Sequence, residues 1–515
     1  MSARTGWQHA LAGRNDGAGR GRNHVKVGEA AGLMGADATS VSAEMFDKQI
    51  KDFSIDSRSV SAGELFFALS QKDYARAGFN GEFVDAHRFI GDAFARGAIA
   101  AVARKDHISG DAYLESVRDR LLLVDDAIAA LQLLAHRVYS AWGKPVVAIT
   151  GSAGKTTAKE LTAHVLQSAG YRVLKSERNY NNGLGLPLSV LRMVSEGRSP
   201  DQFDLAVLEM GMSSPTHEIQ RLCKITPPDI AVELMVAPVH LEYLGTIENI
   251  AAAKAELIEG LKPEGTAILN ADDALVMKMR DKHSGRTLTF GIGHVADIAA
   301  TFIDTLSLGK IGFRLRTPLG EAEASLAMSG RHNLSNALAA AAVGTAFSIP
   351  PEEIAAALKT AQPPKMRGEV FDFAAGFTVI DDSYNSNPRS LLNMVRTMVE
   401  GGRGRKRLVV IAGEMLELGP DEASLHRDVG REIAGSGINL LWGVRGLAQE
   451  IVAGANEAGL LATKFFNSSD EVAAELIKEV REGDLILVKG SRGVATDKVV
   501  EALRERFPLA GADEG

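Results

Sequence analysis

Val146-Val147-Ala148-Ile149-Thr150-Gly151-Ser152-Ala153-Gly154-Lys155-Thr156-Thr157 is the stretch whose reading decides the fold. An apolar run enters a Gly-rich turn, and Leu161, Val165 and Leu166 then fall on one helical face before Gly170 stops the pattern. The reading is strand, loop, helix. Glycines let backbone N–H groups wrap an anion, and the positive end of the helix dipole favours phosphate. Lys155 can reach outer phosphates and the Thr156 hydroxyl can join a Mg²⁺ shell. The general nucleotide pattern puts a glycine where this chain has Ile149, leaving the shorter Gly-x-x-Gly-Lys-Thr-Thr. The alternative is an ordinary βα turn, in which Gly-Lys-Thr-Thr directly after a buried strand is uncommon.

The chain has 515 residues, 45% apolar and 24% charged, which predicts two to four globular domains with a large core. A net charge of −8 argues against wholesale nucleic-acid binding. One cysteine, Cys223, excludes an intramolecular disulfide and suits a reducing, cytoplasmic compartment. It reads as a small buried apolar residue rather than a nucleophile. No run reaches the length of a membrane helix. Residues 1–23, Gly- and Arg-rich around Gly13 to Asn23, read as a disordered tail or a misplaced start, not a secretory signal. The basic run Arg403-Gly404-Arg405-Lys406-Arg407 reads as a solvated loop.

Short strands at Leu65–Leu69, Ala98–Ala103 and Leu121–Val124 alternate with helices, giving a small α/β domain over 24–143. In it, Asp56-Ser57-Arg58 could hold an anionic ligand through Arg58, or Asp56 and Arg58 could be a surface pair of little weight. Trp142-Gly143-Lys144-Pro145 is a linker pattern. A central domain, 144–362, alternates strands at Val173–Ser176, Phe203–Met210, Ile230–Val236 and Thr266–Asn270 with helices, followed by a weaker strand region to Ala327. Glu209 ends one strand, where ligands bind in open α/β sheets. His240 follows another. Lys254, among alanines in mid-helix, reads on spacing alone as a solvent-facing lysine. Asn333 and Asn336 open an Ala-rich helix and could cap it or bond a purine edge. Pro363-Pro364 marks a second boundary. Strands at Phe377–Ile380, Leu408–Ala412, Asn439–Gly443 and Asp484–Lys489 then build a third, Rossmann-like α/β domain over 363–515. The expected class is α/β in three domains, with a central P-loop-type, mostly parallel sheet.

Together, Gly151–Thr157, Glu209-Met210-Gly211-Met212-Ser213-Ser214, His240-Leu241-Glu242 with Lys254, Gly330–Asn336, Asp382-Ser383-Tyr384-Asn385-Ser386-Asn387-Pro388 and Val488-Lys489-Gly490-Ser491-Arg492 resemble the Mur ligase family from about residue 24 onward. The last two strings look like the member that adds D-alanyl-D-alanine to UDP-N-acetylmuramoyl-tripeptide; the Asp-Asn-Pro-Arg string of the sister that adds diaminopimelate or lysine is absent. The resemblance implies a UDP-holding first domain, an ATP-holding second and an acceptor-holding third that swings in. It implies phosphate contacts from Gly151, Ser152, Ala153, Gly154, Lys155, Thr156 and Thr157. It further implies Asn333 on adenine, Arg367 on phosphate and Asp382 on ribose. Two Mg²⁺ sites would be held by Thr156, Glu209, His240 and Lys254, the lysine carbamylated by CO₂ because a free ammonium beside two cations is repelled. Lys155, Lys254 and His240 would be catalytic. Asp56, Ser57, Arg58, Asn182, Tyr384, Asn385 and Asn387 would meet substrates. The family usually has an acidic residue where this chain has Gly183. The implied partners are small molecules, not nucleic acid or membrane, and the implied state is a monomer. A folylpolyglutamate-type ligase is the alternative within the class. A nucleotide-switched binding protein without ligase activity is the alternative outside it.

Overall fold

The computed structural model describes residues 25–79, 81–177, 180–212, 217–238, 244–402 and 404–511, with the side chains of 305–307 excepted. The tail, Ser213-Ser214, His240, Leu241, Glu242 and Arg403 lie outside the described residues.

Three sheets organise the chain. In the first, β1 (Phe53–Ser54), β2 (Leu65–Phe67), β3 (Ala100–Arg104) and β4 (Leu121–Val124) pair in parallel, in sequence order. Each of these strands is buried on both faces, so an all-apolar run such as Leu121-Leu122-Leu123-Val124 is what the position requires.

The second sheet contains β5 (Val146–Thr150), β6 (Val173–Lys175), β7 (Leu205–Glu209), β8 (Ile230–Glu233), β9 (Thr266–Asn270), β10 (Arg286–Gly291), β11 (Ile298–Ser307), β12 (Lys310–Thr317) and β13 (Gly320–Leu326), in the order β13-β12-β11-β10-β9-β8-β5-β7-β6. It is parallel from β6 to β11, and β12 and β13 close one edge as antiparallel hairpins. The weaker strand region expected near 287–327 is thus an extension of the central sheet. The chain runs from β5 out to β6, returns through β7, then crosses to β8 on the other side of β5. The strand order reverses beside β5, and ligands bind at such a reversal, outside the carboxyl ends of the strands.

Alternation along each strand sorts the core. Val147 and Ile149 point to the side of helix α2 (Lys155–Ser168) and the Ala-rich α6 (Arg331–Ala346). Val146 and Ala148 point to the opposite side, toward α1 (Ala127–Trp142), α3 (Gly185–Leu191), α4 (Glu218–Ile225) and α5 (Ile247–Glu259). That second cluster also takes in Leu65, Phe67, Val102 and Leu122 of the first sheet, so one continuous core joins the first two sheets. The Trp142-Gly143-Lys144-Pro145 linker pattern is a helix end: Gly143 takes φ 65°, and the Trp142 indole, 9% exposed, donates to Pro200 O and Phe203 O.

The third sheet runs β14 (Glu369–Asp372), β15 (Thr378–Asp381), β19 (Asp484–Lys489), β16 (Arg407–Gly413), β17 (Leu440–Val444), β18 (Thr463–Phe466) and is parallel except for β14. It touches the central domain through Leu308, which packs on its core, and through Gly330, where an added Cβ would lie 2.6 Å from Thr397 Oγ1. Cys223 is buried in the central domain, and burial pushes its thiol up to about 12, the unreactive state expected for it.

Candidate active site

The site is built where β5, β7 and β8 end. After Thr150 the chain turns through Gly151 (φ 152°) and Gly154 (φ 84°) into α2. Gly154 has a steric as well as a conformational reason: a Cβ there would stand 2.4 Å from Asn336 Oδ1. The loop is therefore clamped against the second turn of α6, and Asn336 packs on it. Asn333, one turn earlier and 5% exposed, donates from Nδ2 to Ser329 O at 2.9 Å.

Lys155 folds back and donates to Gly151 O at 2.8 Å. Burial holds its ammonium below the ordinary lysine range. The nearby Glu209 carboxylate works against this, Arg367 adds to it, and Glu233 opposes it. Arg367 also lies over the Tyr384 ring, 4.1 Å from its centroid. Parts of the loop, β7, β8 and the start of the third domain therefore share one electrostatic neighbourhood.

Thr156 Oγ1 donates to Glu209 Oε2 at 2.9 Å, and Asn181 Nδ2 donates to Glu209 Oε1 at 2.8 Å. Glu209 is 2% exposed. A hydroxyl and a carboxylate already in contact, facing a phosphate loop, are hard oxygen donors that suit Mg²⁺. Glu233, on β8, was not singled out in the sequence. It is 0% exposed, and neither carboxylate oxygen has a hydrogen-bond partner among the described residues. Burial pushes its carboxyl up to about 8 against the pull of Lys254 and Lys155, with Asp273 adding to the rise. Its only sequence signal was a charge at the last position of an otherwise apolar strand.

Lys254 is not the solvent-facing lysine that spacing alone favoured. It is 2% exposed, on the α5 face turned to the sheet. Burial and the positive charge of Lys155 bring its ammonium down to about 7, against Glu233. His240 is outside the described residues.

In the third domain, Asp382 accepts from Lys489 Nζ at 2.5 Å, and the same Nζ donates to Asn385 O at 2.7 Å. Lys489 is 3% exposed and so ties β19 to the 382–387 loop. His332, at the start of α6, is held below the usual histidine range by burial, with Asp382 opposing and Lys489 assisting. Asn385 and Asn387 of this string have structural partners. Asn387 caps α7 (Pro388–Gly401), accepting from Ser390 N at 2.9 Å, while Asn385 is exposed and its Oδ1 accepts from Ser386 N at 2.9 Å. Tyr384 is half-buried under Arg367.

Asn182 spends its Oδ1 on the N–H groups of Leu184 at 3.1 Å and Gly185 at 2.9 Å, capping α3. A Cβ at Gly183 would meet Gln132 Nε2 at 2.9 Å and Phe79 Cζ at 3.1 Å, so a larger residue there needs those neighbours to shift. Asp56 and Arg58 do form the surface pair that was one of the two readings, Arg58 Nε to Asp56 Oδ1 at 2.9 Å and Nη2 to Oδ2 at 2.8 Å. Both, with Ser57, also line a cleft of about 760 Å³ floored by Leu69, Tyr74 and Phe89. The pair and the cleft occupy one place.

Asp85, His87 and His107 also come together in the first domain. His87 Nε2 accepts from Arg104 N at 2.9 Å and Nδ1 bonds Asp85 Oδ1 at 2.7 Å, so both ring nitrogens are committed and the cluster is a hydrogen-bonded brace rather than a metal centre.

Comparison with known proteins agrees with this geometry. The Mur ligase middle domain matches residues 149–344 and the Mur ligase glutamate ligase domain matches residues 366–492. The chain is 34% identical to the UDP-N-acetylmuramoyl-tripeptide–D-alanyl-D-alanine ligase of Bacillus subtilis, over 87% of this chain and 92% of that protein. A crystal structure of MurF from Acinetobacter baumannii superposes with a TM-score of 0.77 at 29% identity, covering 92% of this chain and 98% of that one. MurF ligase from Thermotoga maritima in complex with ADP gives 0.72 at 26% identity, covering 88% and 97%. With a glycine loop, a paired Thr156–Glu209 and a buried Lys254 at the ends of one parallel sheet, and with relatives matching along almost its whole length, the chain belongs to the Mur ligase family.

Proposed function

We propose that this chain is an ATP-dependent amide ligase that joins D-alanyl-D-alanine to UDP-N-acetylmuramoyl-tripeptide in peptidoglycan precursor synthesis, releasing ADP and phosphate. The observation that carries the reading is the convergence of Lys155, Thr156 and Glu209 on one glycine loop, in a chain matching ligases of this activity over most of its length.

A carboxylate is a poor electrophile. Its oxygen attacks the γ-phosphorus of ATP, the bond to the β-bridging oxygen breaks, and ADP leaves; the product is an acyl phosphate. The dipeptide amine then adds to the acyl carbon, loses a proton, and phosphate departs with the C–O bonding pair. The loop N–H groups and the start of α2 hold the phosphates, and Lys155 swings from Gly151 O to offset charge on the transferring group. Magnesium, when bound, supplies charge neutralisation at the phosphates. Thr156 and Glu209 would hold it, with His240 and Lys254 as further ligands at a second site. Asn333 faces adenine, and Asp382, braced by Lys489, meets ribose. Arg367 meets phosphate. The 760 Å³ cleft beside Asp56, Ser57 and Arg58 takes the UDP end of the substrate. Asn182, Tyr384, Asn385 and Asn387 shape the substrate path as loop-holding residues as much as by contact.

Lys254 acts as a carbamate. Its ammonium, brought down to about 7, is available as a neutral amine near neutrality, and only the neutral amine adds to CO₂. No helix among the described residues is long and apolar enough to cross a membrane, and the reading puts the reaction in the cytoplasm on a monomeric enzyme.

The test is phosphate release from ATP with UDP-N-acetylmuramoyl-tripeptide, with and without D-alanyl-D-alanine. Release that depends on the dipeptide supports the ligase. Release indifferent to it would leave a nucleotide-switched protein, and turnover of folate in place of the UDP-peptide would leave the folylpolyglutamate-type alternative.

A further inference from the structure

We propose that Glu233 is the positioning residue of Lys254, receiving the end of that side chain once it is carbamylated; this rests on the carbamate reading given above. A glutamate that is 0% exposed, with neither oxygen hydrogen-bonded among the described residues, forfeits its hydration and gains no hydrogen bond in return. An apolar residue in its place on β8 would extend the Ile230-Ala231-Val232 run at no such cost. The carboxyl is therefore a group waiting for a partner.

Register identifies the partner. Glu233 stands opposite Thr150 of β5, and Glu209 stands opposite Ile149. Neighbouring residues of a strand point to opposite faces, so the two glutamates leave the sheet on opposite sides. Glu209 meets Thr156 on the α2 side. Glu233 shares the α5 side with Lys254 and with the Thr150 hydroxyl, which is also buried and unpartnered. Three buried polar groups thus lie on one side of the sheet, and Lys254 Nζ makes no hydrogen bond to Glu233.

Carbamylation gives Lys254 a group that Glu233 can meet. Nζ bonds to the carbon of CO₂, one C–O π pair moves onto oxygen, and the proton leaving Nζ passes to solvent water, because Glu233 is already held as the acid by its burial. The side chain is longer by one carbon and two oxygens. Glu233, as the acid, donates a hydrogen bond to one carbamate oxygen, and the second oxygen remains as a hard donor. Thr150 can donate to either acid. Glu233 touches neither nucleotide nor acceptor; it acts through Lys254.

The full-length protein equilibrated with ¹³C-bicarbonate tests this by ¹³C NMR of the carbamate carbon, with Lys254→Ala assigning the signal. Wild type shows the resonance. Glu233→Leu loses it and weakens Mn²⁺ binding, read by EPR, by about 10- to 100-fold, while its melting temperature stays level or rises because an unpaired buried carboxyl has gone. Glu233→Gln, nearly isosteric, serves where the leucine variant does not fold, and it also shows a reduced signal. A full carbamate signal in either variant overturns the proposal and leaves the carbamate reading standing. A melting temperature lowered in both with the signal intact assigns Glu233 a purely structural role and likewise overturns it. Absence of the signal from wild type overturns the carbamate reading itself.

Discussion

Thr156 Oγ1 and Glu209 Oε2 are 2.9 Å apart, joined across the gap between the first turn of α2 and the last residue of β7. Asn181 holds the other oxygen of the same carboxylate at 2.8 Å, so its orientation is set before any nucleotide arrives. Replacing Glu209 by Gln keeps the shape and removes the charge. A fall of about 10²–10³ in kcat is expected, with a raised Mg²⁺ requirement, measured by phosphate release across a Mg²⁺ titration. Thr156→Ser keeps the hydroxyl and most of the activity.

Gly154 and Asn336 make a second such pair. Alanine at 154 meets two penalties, a left-handed φ of 84° and an Asn336 Oδ1 at 2.4 Å from the new Cβ. The backbone part alone costs about 1–3 kcal/mol. Gly154→Ala is expected to lower the melting temperature and to abolish tight ADP binding by calorimetry. Adding Asn336→Ala relieves the contact but not the φ, so recovery is partial.

In the first domain, Arg104 and Asp73 are 3% and 0% exposed and form an ion pair. Asp73 Oδ2 also accepts from Ala127 N at 3.1 Å, and Arg104 Nη1 donates to Asp125 O at 2.6 Å, so the pair pins β3 to the start of α1. Arg104→Met leaves a buried carboxylate alone and costs about 3–5 kcal/mol, read by urea unfolding. The double variant with Asp73→Leu recovers much of that, since both charges then leave together.

Asp381, at the end of β15, is 5% exposed, and burial pushes its carboxyl up to about 6 despite hydrogen bonds from Ser383. The folded state therefore holds a proton that the unfolded chain releases near pH 4. Between about pH 4 and 6 stability falls as pH rises, and above 6 the full cost, about 3 kcal/mol, is present. Asp381→Asn is expected to raise the melting temperature at pH 7.5 and to flatten this part of the pH profile.

Much of the architecture was legible in the chain. Strands buried on both faces are continuous apolar runs, and Val146–Ile149, Leu121–Val124 and Asp484–Lys489 could be read as such. The edge strands were harder. Glu369–Asp372 and Thr463–Phe466 are short and only partly buried, and carry little pattern. The hairpins β11 to β13 alternate polar and apolar because one face is open, and the sequence left unsettled that they join the central sheet.

Local chemistry alone determined the nucleotide loop: Gly151 and Gly154 allow a backbone no other residue takes at low cost, and Lys155-Thr156 follow at fixed spacing. Lys254 and Glu233 were decided only by tertiary structure. A lysine in an alanine helix and a glutamate closing a strand each look solvent-facing in isolation. Which face of α5 meets the sheet, and which side of β8 a given residue leaves, depends on register with β5 and on packing between segments distant in sequence. That placement takes both charges out of water, and burial is what turns two ordinary side chains into an amine near neutrality and a carboxyl without a partner.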